Sequence, residues 1–349
     1  MKVLVPHQKD QNIYLDEIIK YSESEFVFGN FKDFNSSFDI VNIQFPEAIF
    51  DWKVPTQTEL NELESQIRIW KMSSKIVYTM NDFKKHYDKK ENFDNLFSLI
   101  HKNADAVIHL GNYSMQHCQK MFSEDCIHTI IHHPLYSSLL ESGKRENIEE
   151  IYKIDLENKF VVSVIGGIRS KEEMKLIFKI FKKIPVKNKF LVVPRMFQFL
   201  EIPDYIPYRF RKKYRKLMES LYCLSLSKKQ YYFNSLFLDY SYLINLVDRS
   251  SVIIIPRVRN LNSGNLFLGL TFDKPMVIPG IGNLTEEADN FGLPVFDIIN
   301  NSYEDVINKV LELEHNSYFQ TKQFQDKKKE YQPEKIAMKY DSFFKSLIF

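Results

Sequence analysis

Cysteine is nearly missing from this chain, with three among 349 residues, and glycine is scarce, with ten. Cys118, Cys126 and Cys223 form no CxxC pair, which argues against a zinc ribbon or a disulfide framework. Free thiols fit a reducing compartment. Long apolar runs are missing too. No stretch approaches the roughly 18–20 residues of a spanning helix, and the apolar part of the opening MKVLVPHQKD is too short for a signal peptide. The expected location is the cytoplasm. No one sign of charge dominates. With 47 basic and 45 acidic side chains the net charge is +2, so no global field steers the protein to nucleic acid. GxxxxGK[ST], GxGxxG and HExxH do not occur, and no DxD pair is present to hold a divalent ion. No metal or other cofactor is expected.

What is there is an alternation. Apolar residues make up 44% of the chain, and its length suggests two domains at about 100–200 residues each. Short β-rich runs (KVLVP, FDIVNIQF, KIVYTM, AVIHLG, CIHTIIHHP) are separated by stretches with helical spacing. Continuous apolar strands between helices predict a parallel sheet covered on both faces. The charged segment 137–159 has no long apolar run and is the linker candidate. After it the pattern restarts with FVVSVIGG, KFLVVP, YYFNSLF, SVIIIP, PMVIP and LPVFD, and 333–349 reads as a final helix. The expected fold class is α/β, with two Rossmann-like doubly wound domains facing a central cleft. They are expected at 1–150 and 151–330, and a C-terminal helix at 331–349 is expected to pack back on the first. The site belongs in the crevice at the strand C-termini.

Seven of the ten glycines lie between Gly166 and Gly292, most of them just after a strand. In VIGGIRSKEE, Gly166 and Gly167 lead into a helix that starts beside Arg169 and Lys171. Unpaired N–H groups and the dipole make a helix start an anion site, and an arginine adds a charge-assisted fork. The competing reading is a βα turn with solvated cations. In RNLNSGNLFLGL, Asn262, Ser263, Gly264 and Asn265 form the cap and first turn of an apolar helix, which is either plain capping or a diphosphate cradle. PGIGNLTEEA repeats the pattern, and Glu286 and Glu287 either bind sugar hydroxyls or cap their helix. In the first half, strand ends offer His7, Glu47, Asn81-Asp82 and His132-His133. His128 and His132 fall on one face of an expected strand, too far apart to chelate together. The basic run RFRKKYRK, 209–216, is either a solvated face or a contact for anionic lipid headgroups. Nucleic acid would need a broader patch with stacking aromatics.

VVSVIGGIRSKEEMKLI resembles the strand-Gly-x-Ile-Arg segment of the nucleotide-sugar glycosyltransferases of GT-B fold. The stretch from LVDRSSVIIIP through RNLNSGNLFLGL, DKPMVIPGIGNLTEEA and LPVFD resembles their donor-binding core. NIQFPEAI, KIVYTMNDFKKH, NADAVIHLGNYS and IIHHPLY occur in the family's order. The resemblance covers most of the chain. It implies a nucleotide-sugar donor in the second domain and a carbohydrate, lipid-linked or protein-linked acceptor against the first, where His7 and His133 lie, usually without a metal. Arg169, with Lys171, would contact the diphosphate, Ser263, Gly264 and Asn265 would cradle it, and Glu286 would lie near the donor. The chain departs from the family twice. Leu268 stands where many relatives have a glutamate, and Met80 where a histidine is familiar. Asp82 or Glu47 could act as general base if the reaction inverts, whereas a retaining reaction needs none. The leading expectation is a cytoplasmic glycosyltransferase, peripheral to the membrane if 209–216 binds lipid, that builds a surface polysaccharide, glycolipid or glycoprotein. The alternatives are a sugar-nucleotide epimerase of the same fold and a non-catalytic nucleotide-sugar-binding module.

Overall fold

The computed structural model describes residues 1–9, 12–82, 91–143, 145–200, 202, 203, 205–224, 226–234, 239–300 and 302–348. Residues 83–86 of KIVYTMNDFKKH and 235–237 of YYFNSLF lie outside them.

The first half alternates β1 (Lys2–Val5), α1 (Ile13–Tyr21), β2 (Glu25–Phe28), β3 (Ile40–Ile43), α2 (Gln57–Trp70), β4 (Lys75–Met80), α3 (Glu91–Asn103), β5 (Ala106–His109), α4 (Asn112–Cys118) and β6 (Ile127–Ile130). Its sheet is wholly parallel in the order β2-β1-β3-β4-β5-β6. Every residue of β3 and β5 is buried, as a strand covered on both faces requires. The sequence also sets the helix starts. Thr56 and Glu59 form a reciprocal capping box at α2. β2 was not anticipated: it is a short edge strand with an exposed glutamate, and an edge strand needs only one apolar face.

Two short helices follow, α5 (Ser137–Glu141) and α6 (Ile148–Tyr152). The expected linker is therefore a packed segment, with Leu139, Ile148 and Leu156 buried. The second half runs β7 (Phe160–Ser163), α7 (Lys171–Lys183), β8 (Lys189–Val193), α8 (Tyr208–Cys223), β9 (Tyr231–Phe233), α9 (Tyr240–Arg249), β10 (Val252–Ile254), α10 (Gly264–Thr271), β11 (Met276–Pro279), α11 (Gly282–Asn290), β12 (Val295–Phe296), α12 (Tyr303–His315), α13 (Lys322–Glu330) and α14 (Pro333–Ile348). Its parallel sheet has the order β12-β11-β10-β7-β8-β9, with Val162 opposite Val252. Strand order reverses between β7 and β10, and in doubly wound sheets ligands bind at such a switch point.

α14 leaves the second domain and lies on α1 of the first. Tyr14 and Tyr340 share a hydrogen bond of 2.5 Å, and Asp341 accepts from the hydroxyls of Ser22 and Ser24, each at 2.6 Å. One buried apolar cluster runs through both halves, from Val3 and Ile108 to Leu266 and Tyr340.

Candidate functional site at the switch point

The ends of β7 and β10 open into two loops, 164–169 and 255–263, which approach each other closely. A Cβ on Gly166 would lie 2.5 Å from Asn265 Nδ2 and 2.7 Å from Arg257 Nη2. A side chain there would have to push aside the ends of these two polar side chains, which glycine leaves in place. On Gly167 a Cβ would run into Gln198 and approach Arg195.

Arg257, which was not singled out from the sequence, organises this corner. It is buried, and its Nη1 donates to the Gly167 carbonyl at 3.0 Å and to both oxygens of buried Glu173 at 3.0 and 3.1 Å. Glu173 also accepts from the Arg169 backbone N–H at 2.7 Å, and its own N–H donates to Ser170 at 3.2 Å. The S-x-x-E pattern at 170–173 therefore fixes the start of α7 and anchors an arginine from the loop after β10 at the same time. The sequence held one signal for Arg257: a cation three residues beyond a fully apolar strand needs a buried partner.

Arg169 lies beside this pair. Burial and the nearby Arg257 cation lower its pKa, while Asp82 and Glu173 oppose them. Its guanidinium is 3.7 Å from Asp82 of the first domain. Lys171, the first residue of α7, is exposed.

At the start of α10, Ser263 holds the cap position with its backbone extended, but its hydroxyl caps nothing. Asn265 Nδ2 is buried and bonds to no protein atom. Gly264 faces the Tyr136 hydroxyl. His133 is buried against Phe267, the two rings stacked 4.2 Å apart. Its Nδ1 lies 2.6 Å from the Pro134 carbonyl, which can only accept, so Nδ1 carries the proton and Nε2 accepts from Tyr136 at 3.2 Å. Burial pushes the His133 pKa down to about 3.

Other expected site residues are occupied in joining the two domains. Asn262 donates to the Asn81 carbonyl at 2.7 Å and accepts from Asn283 at 2.8 Å. The Leu261 N–H donates to Asp82 at 3.3 Å, and the Leu261 side chain sits in the first domain's core. Gly282, at φ +50°, lets α11 start against the Leu261 carbonyl, only 2.5 Å from where a Cβ would be. Glu286 accepts from the Asn112 N–H at 2.7 Å and its side-chain amide at 2.5 Å, and Asn283 accepts from the Ser114 N–H at 3.0 Å. The first turn of α4 is thus capped by side chains of the other domain, which serve donors a helix cannot satisfy itself. Glu287 is buried, 2.6 Å from His132 Nδ1 and accepting from Tyr331 at 2.6 Å.

At the first domain's strand ends, His7 is buried with Nδ1 2.8 Å from the Gln8 carbonyl, while its Nε2 bonds to no protein atom. Glu47 is buried in the turn Pro46–Phe50. His128 does not share a face with His132: β6 ends at Ile130, and His128 Nδ1 meets His109 Nε2 at 2.9 Å. Among the described residues, no group of three or more His, Cys, Asp or Glu could hold a metal ion, and no helix is long and apolar enough to cross a membrane.

No family model matches the chain, and no curated protein does. Solved structures do. Sucrose-phosphate synthase from Thermosynechococcus elongatus superposes with a TM-score of 0.68 at 11% identity, over 99% of this chain and 98% of its own. HepE of Anabaena, in complex with UDP-glucose, gives 0.65 at 12% identity over 99% and 100%. A glycosyltransferase from Rickettsia africae gives 0.56 at 14% identity over 98% and 84%. Two parallel six-stranded sheets, a switch point between β7 and β10, and a last helix returning to the first domain are the features that give this chain the two-domain Rossmann-like architecture of the GT-B fold.

Proposed function

We propose that this protein is a glycosyltransferase taking its sugar from a nucleotide-sugar. Residues 151–330 would bind the donor, and residues 1–150 would present a glycan, glycolipid or glycoprotein acceptor. One observation carries the reading: at the β7–β10 switch point, the Gly166 backbone lies against the unpaired amide of Asn265 at the start of α10, and the Arg169 guanidinium stands beside Asp82, which accepts from Leu261 in the loop leading into that helix. That arrangement suits a diphosphate. The helix start offers N–H groups, and the arginine offers a fork. As the glycosidic bond to the donor breaks, charge grows on the departing diphosphate, and donors already fixed in place stabilise it without reorganising. Arginine would supply the positive charge, with no metal assigned a role. That HepE is seen with UDP-glucose supports the choice of donor class.

Lys171, Ser263 and Gly264 complete the proposed donor contacts. Asn262 and Glu286 would act from the cleft wall, where they also hold the domains together. His7, with its unpaired Nε2, and His133 lie on the proposed acceptor side. Asp82 and Glu47 are the candidate bases for an inverting reaction. A second reading, a nucleotide-sugar binder without turnover, is favoured by one observation: Asp82 and Glu286 are both engaged by partners across the interface.

The test is incubation with UDP-, GDP- and ADP-sugars, with and without sugar acceptors, following nucleotide release and product identity. Transfer or slow donor hydrolysis supports the transferase. Conversion of the donor's sugar without release identifies an epimerase, and tight binding without any turnover identifies the silent binder.

A further inference from the structure

Helix α8 has no buried residue along its length. Its inner side is tethered by Arg211, whose Nε donates to the Ile206 carbonyl at 3.1 Å, and by Tyr222, whose ring packs on Phe197 and Phe199. Phe210, Leu217 and Leu221 are exposed by 43, 57 and 51%. At 3.6 residues per turn these three fall on one line along the helix, and Leu224, 78% exposed, continues it. Along one flank run Arg209, Lys212, Lys213 and Lys216, all exposed. The only acid in the helix is Glu219, on the inner side with a buried oxygen.

A solvated basic face does not need a stripe of exposed leucines. We propose that α8 docks the protein on an anionic lipid surface, with the leucine–phenylalanine line entering the headgroup boundary and the lysine flank meeting lipid phosphates. An exposed apolar stripe beside a basic one is the pattern of a helix lying in the interface plane, and juxtamembrane cations add attraction to anionic headgroups. Charge complementarity selects lipid over other occupants. A second copy meeting α8 about a two-fold axis would bring like charges together. A nucleic-acid backbone would gain nothing from Leu217, Leu221 and Leu224. The inference is independent of the nucleotide-sugar reading, because α8 shares no residue with the switch-point site.

The experiment is flotation of the full chain with vesicles of phosphatidylcholine alone or mixed with phosphatidylglycerol. The expected result is binding to the mixed vesicles only, weakened by salt. Lys212→Gln with Lys216→Gln should lower partitioning roughly 30-fold, about 2 kcal/mol at about 1 per charge. Leu217→Ser with Leu221→Ser should lower it at least about tenfold. All four positions are exposed, and melting curves unchanged from wild type confirm that the variants are folded. Equal partitioning into pure phosphatidylcholine, or wild-type partitioning by both double variants, would overturn the proposal. So would a concentration-dependent dimer abolished by the leucine pair, or binding to RNA without binding to vesicles.

Discussion

The two doubly wound domains use the ends of their strands for different work. In the second domain, β7 and β10 end in glycines, a buried arginine and an amide with no protein partner. In the first, the ends of β4 and β5 are engaged by the other domain. Asn81 and Asp82 take Asn262 and Leu261, while Asn112 and Ser114 take Glu286 and Asn283. The lesson is that a polar residue after a strand in this fold has two uses, ligand and interface, which residue type alone does not separate. The domains also differ in what they bury. His101, His109 and His133, all in the first, have pKa values depressed by burial to about 4, 4 and 3.

The largest expected contrast is therefore with acid. Unfolded histidines titrate near 6.5, so between that pH and about 4 the unfolded chain binds more protons than the folded one. Stability is full above pH 6.5 and falls as pH drops, by about 1.4 kcal/mol per unit for each of the three histidines. Both tryptophans, Trp52 and Trp70, lie in the first domain. Their fluorescence should report its loss at a milder pH than a probe placed in the second domain. Simultaneous loss would show that the shared core makes the two halves one cooperative unit.

Arg257→Met comes next. It leaves Glu173 buried without its cation, and the cost should be about 3–5 kcal/mol in urea unfolding. A small cost would mean that Glu173 is held by the Arg169 N–H and Ser170 alone.

Glu286→Ala separates the two uses of a strand-end residue. As a cap on α4 it should cost about 0.5–2 kcal/mol of stability, and as part of the donor cleft's wall it should weaken nucleotide binding as well. A loss of stability at unchanged affinity would leave Glu286 as a cap alone. Asn265→Ala is the smallest and the inverse case. It should leave stability unchanged or slightly raised, because a buried donor without a partner is removed, and should weaken nucleotide binding by about 0.5–1.5 kcal/mol.

Much of the fold was legible because parallel strands buried on both faces read as continuous apolar runs, as β10 and β11 do. β2 and α13 were not. β2 is a half-exposed edge, and α13 buries only Phe324 and Lys328 on an otherwise polar surface. At the site, Gly166, Gly264 and Arg169 were legible from their places after strands and at helix starts. Arg257 was hidden because its meaning depends on Glu173, 84 positions away. Glu286 carried two readings, a sugar contact and a cap. The helix it caps belongs to another domain, 174 positions away, and no local pattern encodes that distance.

The central claim is that a diphosphate sits at the β7–β10 switch point, and Arg169 tests it most directly. The Asp82 pair at 3.7 Å involves an arginine side chain that is 42% exposed, so Arg169→Ala should change stability by no more than about 1 kcal/mol. The decisive measurement is calorimetric titration of UDP, GDP and ADP onto wild type and onto Arg169→Ala. The expected result is that one nucleotide binds wild type and binds the variant roughly 10- to 150-fold more weakly, about 1.5–3 kcal/mol. Equal affinity in the two proteins, or no binding of any of the three to wild type, would contradict the account.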